Sequence, residues 1–229
     1  SATPSPVPPT ATPTPVPPSP TPDPCPARDR DLDPPVLSED LEANITAIEA
    51  YLDQGGDPKR IELREEDTVL QGDLTGEGSP EVVFSLVDLT SEQIPPKSHL
   101  VVFTCQVGGM RLLYRYEPGD WYGLNLIAIE DLTQDGVADL AFADVSCGAH
   151  TCWHTPYVWS WDGDDFVNHV TDALQFPYPD FWATEDALKV VSGGIGSVGA
   201  GPQRPVTTTL AWDGEQVALV EEVTGPPTF

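Results

Sequence analysis

The sequence predicts a mostly β protein made of antiparallel meander units, with one N-terminal helix and a disordered or polyproline II tether before it. From Ile61 onward, short runs of β-branched and aromatic residues alternate with Gly, Asp, Pro and Asn, as in strands joined by tight turns. Before the helix, Pro stands at about every second position of residues 1–26. That composition has too little apolar surface to offset the entropy lost on ordering.

These observations divide the chain into a Pro/Thr-rich extracellular tether over residues 1–36 and a single β-rich domain over residues 37–229. Proline fixes φ and favours polyproline II, in which residues 1–26 extend to roughly 80 Å. The Thr/Ser-Pro composition resembles surface stalks that carry O-linked sugars. The candidate glycosylation sites are Thr3, Thr10, Thr12, Thr14, Ser19 and Thr21.

One amphipathic helix follows the tether. Leu41, Ile45, Ile48 and Leu52 recur at helical spacing and form one apolar stripe. Ser38 is the expected N-cap, and the Gly pair at 55–56 is expected to end the helix.

The charge balance excludes several kinds of partner. The chain carries 37 acidic and 10 basic residues, for a net charge of −27. Nucleic acid and anionic lipid both require clustered Lys and Arg, so neither is an expected partner. Either the acidity keeps the chain soluble or it provides a surface for divalent cations. No apolar run is long enough for a transmembrane segment.

The cysteines indicate an oxidising, extracellular or cell-surface location. There are four, and the chain opens directly in the Pro-rich tract, as expected of a processed exported protein. We predict a local Cys147–Cys152 disulfide, and a second between Cys25 and Cys105 that ties the tether to the domain. A zinc site that includes His150 and His154 is the alternative, but its ligands would be cramped in so short a segment.

An internal repeat organises the β region. Residues 72–84 align with residues 130–142, and a third unit shares only a Trp-Asp-Gly turn with the second. The domain therefore reads as the helix followed by about three meander units. An open stack, a sandwich and half of a ring completed by a partner chain all fit this count.

The two aligned segments contain the candidate metal site. Each begins with Asp-Leu-Thr and reaches a second carboxylate at position 9, with a Gly at position 6 for a sharp turn. Alternate side chains on a tight turn supply the converging oxygens that calcium requires. The candidate ligands are Asp73, Thr75, Glu77, Ser79 and Glu81 in the first loop, and Asp131, Thr133, Asp135, Val137 and Asp139 in the second.

These loops resemble the FG-GAP/VCBS repeats of integrin-type β-propellers, in which a D-x-D-x-D-G-x-x-D loop binds calcium and leads into a strand. The resemblance covers the two loops and the blade-like spacing, and it implies propeller-blade-like units and calcium as cofactor. The chain departs from the pattern with Thr at position 3 of both loops and Glu at position 5 of the first. The alternative is an Asx turn, in which Asp73 or Asp131 bonds its own backbone.

No sequence motif indicates catalysis. There is no G-x-S-x-G, and the four histidines suggest no triad. We therefore expect a non-enzymatic extracellular or cell-surface structural or adhesion module, as a subunit of an assembled surface structure or filament. Its expected partners are other surface proteins, copies of itself, or glycans. The alternatives are a carbohydrate-binding module, with Trp153, Trp159, Trp161 and Trp182 as a stacking platform, and a secreted hydrolase.

Overall fold

A computed structural model describes residues 31–65, 67–92, 96–106, 109–119, 123–148, 151–193 and 204–226. In these residues one α-helix and a short 3₁₀ turn precede a series of strands. The helix α1 spans Leu41–Asp53 and the 3₁₀ turn Pro58–Arg60. The strands are β1 Thr68–Gly72, β2 Glu81–Val87, β3 Ser98–Gln106, β4 Gly109–Tyr116, β5 Gly123–Glu130, β6 Asp139–Cys147, β7 Cys152–Trp161, β8 Phe166–Asn168, β9 Phe176–Pro177, β10 Asp180–Ala183, β11 Ala187–Ser192, β12 Val206–Trp212 and β13 Val217–Thr224.

The strands form three antiparallel sheets, each a meander in chain order. Sheet 1 is β1-β2-β3-β4, sheet 2 is β5-β6-β7-β8, and sheet 3 is β10-β11-β12-β13. The short strand β9 pairs with the start of β7 at the edge of sheet 2. The prediction of a mostly β meander protein with one N-terminal helix is therefore confirmed.

Three apolar layers hold these elements together. The first joins α1 to one face of sheet 1 through residues such as Ile48 and Phe103. The second joins the other face of sheet 1 to sheet 2, with Leu100 and Phe142 among its buried side chains. The third joins sheet 2 to sheet 3, where Leu188 is fully buried. The order is therefore helix, sheet 1, sheet 2, sheet 3, an open stack capped by the helix at one end.

The helix buries the predicted stripe, but its cap differs from the prediction. Leu41, Ile48 and Leu52 are buried against sheet 1. The N-cap is Asp40, whose carboxylate accepts from the Ala43 amide at 3.0 Å, so Ser38 as N-cap is wrong. Ser38 lies two residues earlier, where its own amide donates to Asn44 Oδ1 at 2.7 Å. The carboxylate at position 40 reaches the free amides of the first turn and also complements the helix dipole.

The local disulfide is confirmed. Cys147 and Cys152 are bonded to each other across the turn from β6 to β7, where they are also paired residues in the sheet. Their thiols are therefore unavailable to zinc. Cys105 is disulfide-bonded as well, but Cys25 lies outside the described residues, so its pairing with Cys105 stays a prediction.

Two further predictions concern the tether and membrane-spanning segments. The tether up to residue 30, with its candidate glycosylation sites, lies outside the described residues. In the described part of the chain, no helix combines the length and hydropathy that a membrane crossing requires.

Truncating a helix residue tests whether α1 contributes to the core. The Ile48 side chain is completely buried, so Ile48→Ala removes apolar contact and leaves a cavity, and should lower the free energy of unfolding by about 2–5 kcal/mol. Urea denaturation measures this change. Thr46→Ala, on the exposed face of α1, is the matched control and should change stability by less than about 1 kcal/mol. Equal effects of the two substitutions would show that the helix is not packed as described.

Candidate functional site: the paired carboxylate loops

The two repeated loops occupy equivalent places in consecutive sheets. Residues 73–80 connect β1 to β2 in sheet 1, and residues 131–138 connect β5 to β6 in sheet 2. The Gly at position 6 has a positive φ in both, +85° at Gly78 and +92° at Gly136. A side chain would be strained in that conformation, which explains why glycine recurs there.

The carboxylate at position 9 folds back and binds the start of the first loop. Glu81 is buried, and its Oε2 accepts from the amides of Leu74 at 2.7 Å and Thr75 at 3.1 Å. Its Oε1 accepts from the Thr75 hydroxyl at 3.2 Å and from the Thr104 hydroxyl, on β3, at 2.7 Å. One side chain thus accepts from two backbone amides and two hydroxyls at once, and the Leu74 amide also donates to the Gly72 carbonyl at 3.1 Å.

The second loop repeats this arrangement with a shorter acid. Asp139 Oδ2 accepts from the amides of Leu132 at 2.8 Å and Thr133 at 2.7 Å. Its Oδ1 accepts from the Thr133 hydroxyl at 3.2 Å and from the hydroxyl of Ser160 on β7. The Thr at position 3 thus replaces an acidic ligand with a hydroxyl that donates to position 9.

The leucine at position 2 is the packing element of each loop. Leu74 is fully buried in the layer between sheets 1 and 2, and Leu132 in the layer between sheets 2 and 3. The loops also touch each other, because the Ala138 amide donates to the Asp73 carbonyl at 3.4 Å. Each loop therefore helps to hold the next sheet of the stack.

Burial changes the acidity of the position-9 groups. Desolvation raises the pKa of Glu81 and of Asp139, and the hydrogen bonds from the strand hydroxyl, Thr104 or Ser160, and from the loop oppose that rise. The folded protein thus binds a proton at these groups more readily than the unfolded chain does. Their contribution to stability is fully present below about pH 4, near the pKa of the unfolded chain, and is lost as the pH rises through the raised pKa.

The acids at position 1 accept hydrogen bonds from backbone amides four or five residues ahead in their own loops. Asp73 Oδ2 accepts from the Gly78 amide at 2.9 Å, and Asp131 accepts from the amides of Asp135 and Gly136, both at 3.0 Å. Asp135 Oδ1 in turn accepts from the Val137 amide at 2.8 Å. Only the Asp135 bond is an Asx turn, which spans two residues, so the alternative of an Asx turn at Asp73 or Asp131 stays a prediction.

Calcium at these loops stays a prediction. The oxygen donors suit the ion, and Asp73 Oδ1 is buried with no hydrogen-bond partner. However, the position-9 carboxylates point at backbone amides, and Glu77 is exposed on the loop surface. Within the described ranges, no three His, Cys, Asp or Glu side chains come close enough together to hold a metal.

The partner hydroxyls on the third strand of each sheet were missed by the sequence reasoning. Ser160 Oγ lies 2.8 Å from His169 Nε2, so an Asp139–Ser160–His169 chain of hydrogen bonds runs beneath the second loop. The serine lies between the acid and the histidine, whereas a catalytic triad needs the histidine in the middle. The available signal was a hydroxyl residue at similar distance after each loop, Thr104 and Ser160.

A further, half-buried acid, Asp144 on β6, lies at the edge of the layer between sheets 1 and 2. Asp144 Oδ2 accepts from the Tyr116 hydroxyl at 2.8 Å. Desolvation raises the pKa of Asp144, and the hydroxyls of Tyr116 and Tyr157 oppose the rise. Burial and the Asp144 charge raise the pKa of Tyr116. The acid is thus fixed between two tyrosines at the edge of an apolar layer.

The four tryptophans considered for sugar stacking do not form one platform. Trp159 is buried and, with Trp161, belongs to the layer between sheets 1 and 2. Trp153 and Trp182 are 39% and 43% exposed, but they lie on sheet 2 and sheet 3 respectively.

Comparison with protein-family models, curated proteins and solved structures finds no match to this chain.

Replacing Asp139 separates the packing role of the loop from its acidity. Asp139→Ala removes the acceptor of the Thr133 amide and hydroxyl and one partner each of the Leu132 amide and the Ser160 hydroxyl, and should lower the free energy of unfolding by about 3 kcal/mol. Asp139→Asn keeps an acceptor oxygen and should lower it less. Because Asn does not titrate, the stability of the wild type relative to Asp139→Asn should fall as the pH rises from about 4 to 7.

Urea denaturation across that pH range checks both parts. Asp162→Ala, in an exposed turn where the carboxylate also accepts backbone amides, is the control for losing a surface Asx turn. Parallel pH profiles of the wild type and Asp139→Asn would contradict the assigned acidity. An Asp139→Ala protein as stable as the control would contradict the packing role.

Proposed function

We propose that this chain is a non-enzymatic structural and adhesion module of the cell surface or extracellular space, and a subunit of an assembled surface structure. The observation that carries the proposal is the difference between the two ends of the stack. The outer face of sheet 1 is covered by α1, whereas sheet 3 carries exposed apolar side chains.

These side chains are concentrated on the two edge strands of sheet 3. Trp182 on β10 and Val223 on β13 are 43% and 52% exposed and lie on the face turned away from sheet 2. Val220 on β13 is 53% exposed, whereas the exposed Leu219 pairs with the core residue Leu210 and lies at the edge of the layer between sheets 2 and 3. In sheet 1, among the described residues, only Leu112 is a large apolar side chain of comparable exposure. In a stack of similar units, an apolar terminal surface favours association unless it is capped.

The use of the buried ionisable groups supports a structural role. Glu81 and Asp139 bind the loops that carry Leu74 and Leu132 into the layers between sheets. Asp144 is held by a tyrosine hydroxyl. Burial in the packed structure raises the pKa of each of these acids, and structural burial is an ordinary cause of such shifts outside catalytic sites.

The disulfide between Cys147 and Cys152 supports the proposed location. Structural disulfides persist in oxidising compartments and are reduced in most cytosols. The acidic composition suits an exposed surface protein, because like charge keeps copies soluble until a specific contact forms.

Calcium at the paired loops belongs to the same proposal, supported by the oxygen donors and the unpartnered Asp73 Oδ1. With a Kd of about 10⁻⁴–10⁻³ M, typical of extracellular modules, calcium at ten times Kd should add about 1.4 kcal/mol to the free energy of unfolding. That corresponds to an increase in Tm of roughly 3–5 °C. Differential scanning fluorimetry with millimolar calcium or with chelator measures it.

The calcium response should weaken in Asp131→Ala, disappear when Asp73→Ala is added, and persist in Asp162→Ala, since all lose a turn carboxylate but only the first two lose a candidate ligand. The same Tm with calcium and with chelator would end the calcium part of the proposal. It would leave the structural role untouched.

Cross-linking on intact native cells tests the proposed function itself. A membrane-impermeant amine cross-linker followed by detection of this chain should give a ladder of species larger than the 24.7 kDa monomer. A monomer that the reagent never reaches would contradict the surface location. A monomer that reacts without forming larger species would contradict the assembly.

A further inference from the structure

We propose that the outer face of sheet 3 binds the proline-rich segment, residues 1–24, of a second copy of this chain. The inference rests on the proposed role as an assembling module and names the contact that would join successive copies. Its occupant is argued below from the shape of the face, the charge of the chain and the position of residue 31.

The face is defined by cross-strand pairing. Trp182 pairs with Lys189, Lys189 with Thr209, and Thr209 with Glu221, which makes one row across the sheet. The neighbouring Phe181 packs in the layer towards sheet 2, so the row that starts at Trp182 faces away from the stack. Asp180, Val191, Thr207 and Val223 form the next row on the same face.

The centre of this row is polar and internally paired. Lys189 Nζ donates to Thr209 Oγ1 at 2.7 Å, and Thr209 Oγ1 lies 3.5 Å from Glu221 Oε2. One positive and one negative charge leave the row neutral within a chain of net charge −27. The exposed Trp182 and Val223 lie beside it. The face thus combines an aromatic surface, an apolar margin and a neutral polar line, with the single extra negative charge of Asp180 at its edge.

Sheet 3 lacks the loop leucine that packs between consecutive sheets elsewhere in the stack. In sheets 1 and 2, the loop between the first two strands sends Leu74 or Leu132 into the following layer. In sheet 3, a short turn connects β10 to β11, closed by the Thr184 amide donating to the Ala187 carbonyl at 2.8 Å. It has no leucine to insert, so another copy's sheet is a poor occupant.

The charge of the chain favours its uncharged N-terminal segment as the occupant of this face. Two copies of the folded domain repel each other strongly, but residues 1–22 contain no charged side chain. A polyproline II segment has no internal hydrogen bonds, loses little entropy on binding, and docks on aromatic surfaces. Trp182 offers the ring for proline contact, and the Lys189 ammonium offers further donors for the free carbonyls of such a segment.

The position of residue 31 favours a second copy as the source. Leu32 and Leu37 pack with the layer between α1 and sheet 1, and Arg60 Nη1 donates to the Leu32 carbonyl at 2.9 Å. The tether therefore approaches the stack at the sheet 1 end, while the proposed face is at the other end. A polyproline II segment of 24 residues would span about 75 Å, enough to reach a neighbouring copy, and its stiffness opposes folding back along the stack of its own chain. Head-to-tail contacts of this type generate open chains of subunits.

Sedimentation and light scattering of the unmodified full chain over a concentration series test the proposal. The wild type should self-associate, and Trp182→Ala should weaken association by roughly tenfold or more, as loss of a central aromatic contact does. Trp153→Ala, an equally exposed tryptophan on sheet 2, is the matched control and should associate like the wild type. Excess synthetic peptide of residues 1–24 should dissociate the wild-type assembly.

Val223→Asp is a second variant on the same face, at an exposed position where the fold tolerates a charge, and it should also weaken association. Unfolding curves of each variant establish that the fold is kept. Association unchanged in both face variants would overturn the proposal, as would a wild type that stays monomeric at every concentration. If Trp182 is shielded in that monomer, the segment binds its own chain, and the second copy is wrong. If cross-linking on native cells still gives larger species in any of these cases, the proposed function holds, and a different contact joins the copies.

Discussion

The structure depends on one constraint: a meander sheet with two apolar faces must have both faces covered. All seven residues of β2 are buried, which is possible only because α1 lies on one side of sheet 1 and sheet 2 on the other. In β13 only Val217 is buried, and most of the strand that follows is exposed. The hydrophobic effect therefore orders the stack from the helix outward, and in the described part of the chain the outer face of sheet 3 is left exposed.

The buried position-9 carboxylates serve this constraint at the points where one sheet is joined to the next. A leucine enters each layer from a loop, and a loop in that position would bury backbone amides without acceptors. Glu81 and Asp139 supply the acceptors. Desolvating an acid raises its pKa and opposes folding at neutral pH, but taking away the shared acceptor of the position-3 amide and the hydroxyls is the costlier alternative. The same chemistry explains why an acid and a hydroxyl recur together in both loops.

The sequence predicted the parts of the fold that local pattern determines. The apolar spacing of α1, the alternation of strands and turns, the internal repeat and the Cys147–Cys152 bond all follow from neighbours in the chain. The N-cap was misplaced because Ser38 and Asp40 both suit that position, and only the backbone decides which one reaches the first amides. The stacking order depends on contacts between distant strands, which periodicity does not encode.

The candidate site shows the same limit more sharply. Position 9 of each loop was selected as a metal ligand because a carboxylate recurs there at the spacing of a calcium loop. In the fold, that carboxylate accepts from the amides at positions 2 and 3, and its hydroxyl partner comes from another strand, Thr104 in one sheet and Ser160 in the next. Threonine at position 3 is the residue that distinguishes the two uses. A carboxylate there would lie against a second buried carboxylate and require a cation between them, whereas a hydroxyl donates directly and lets the loop close through hydrogen bonds alone.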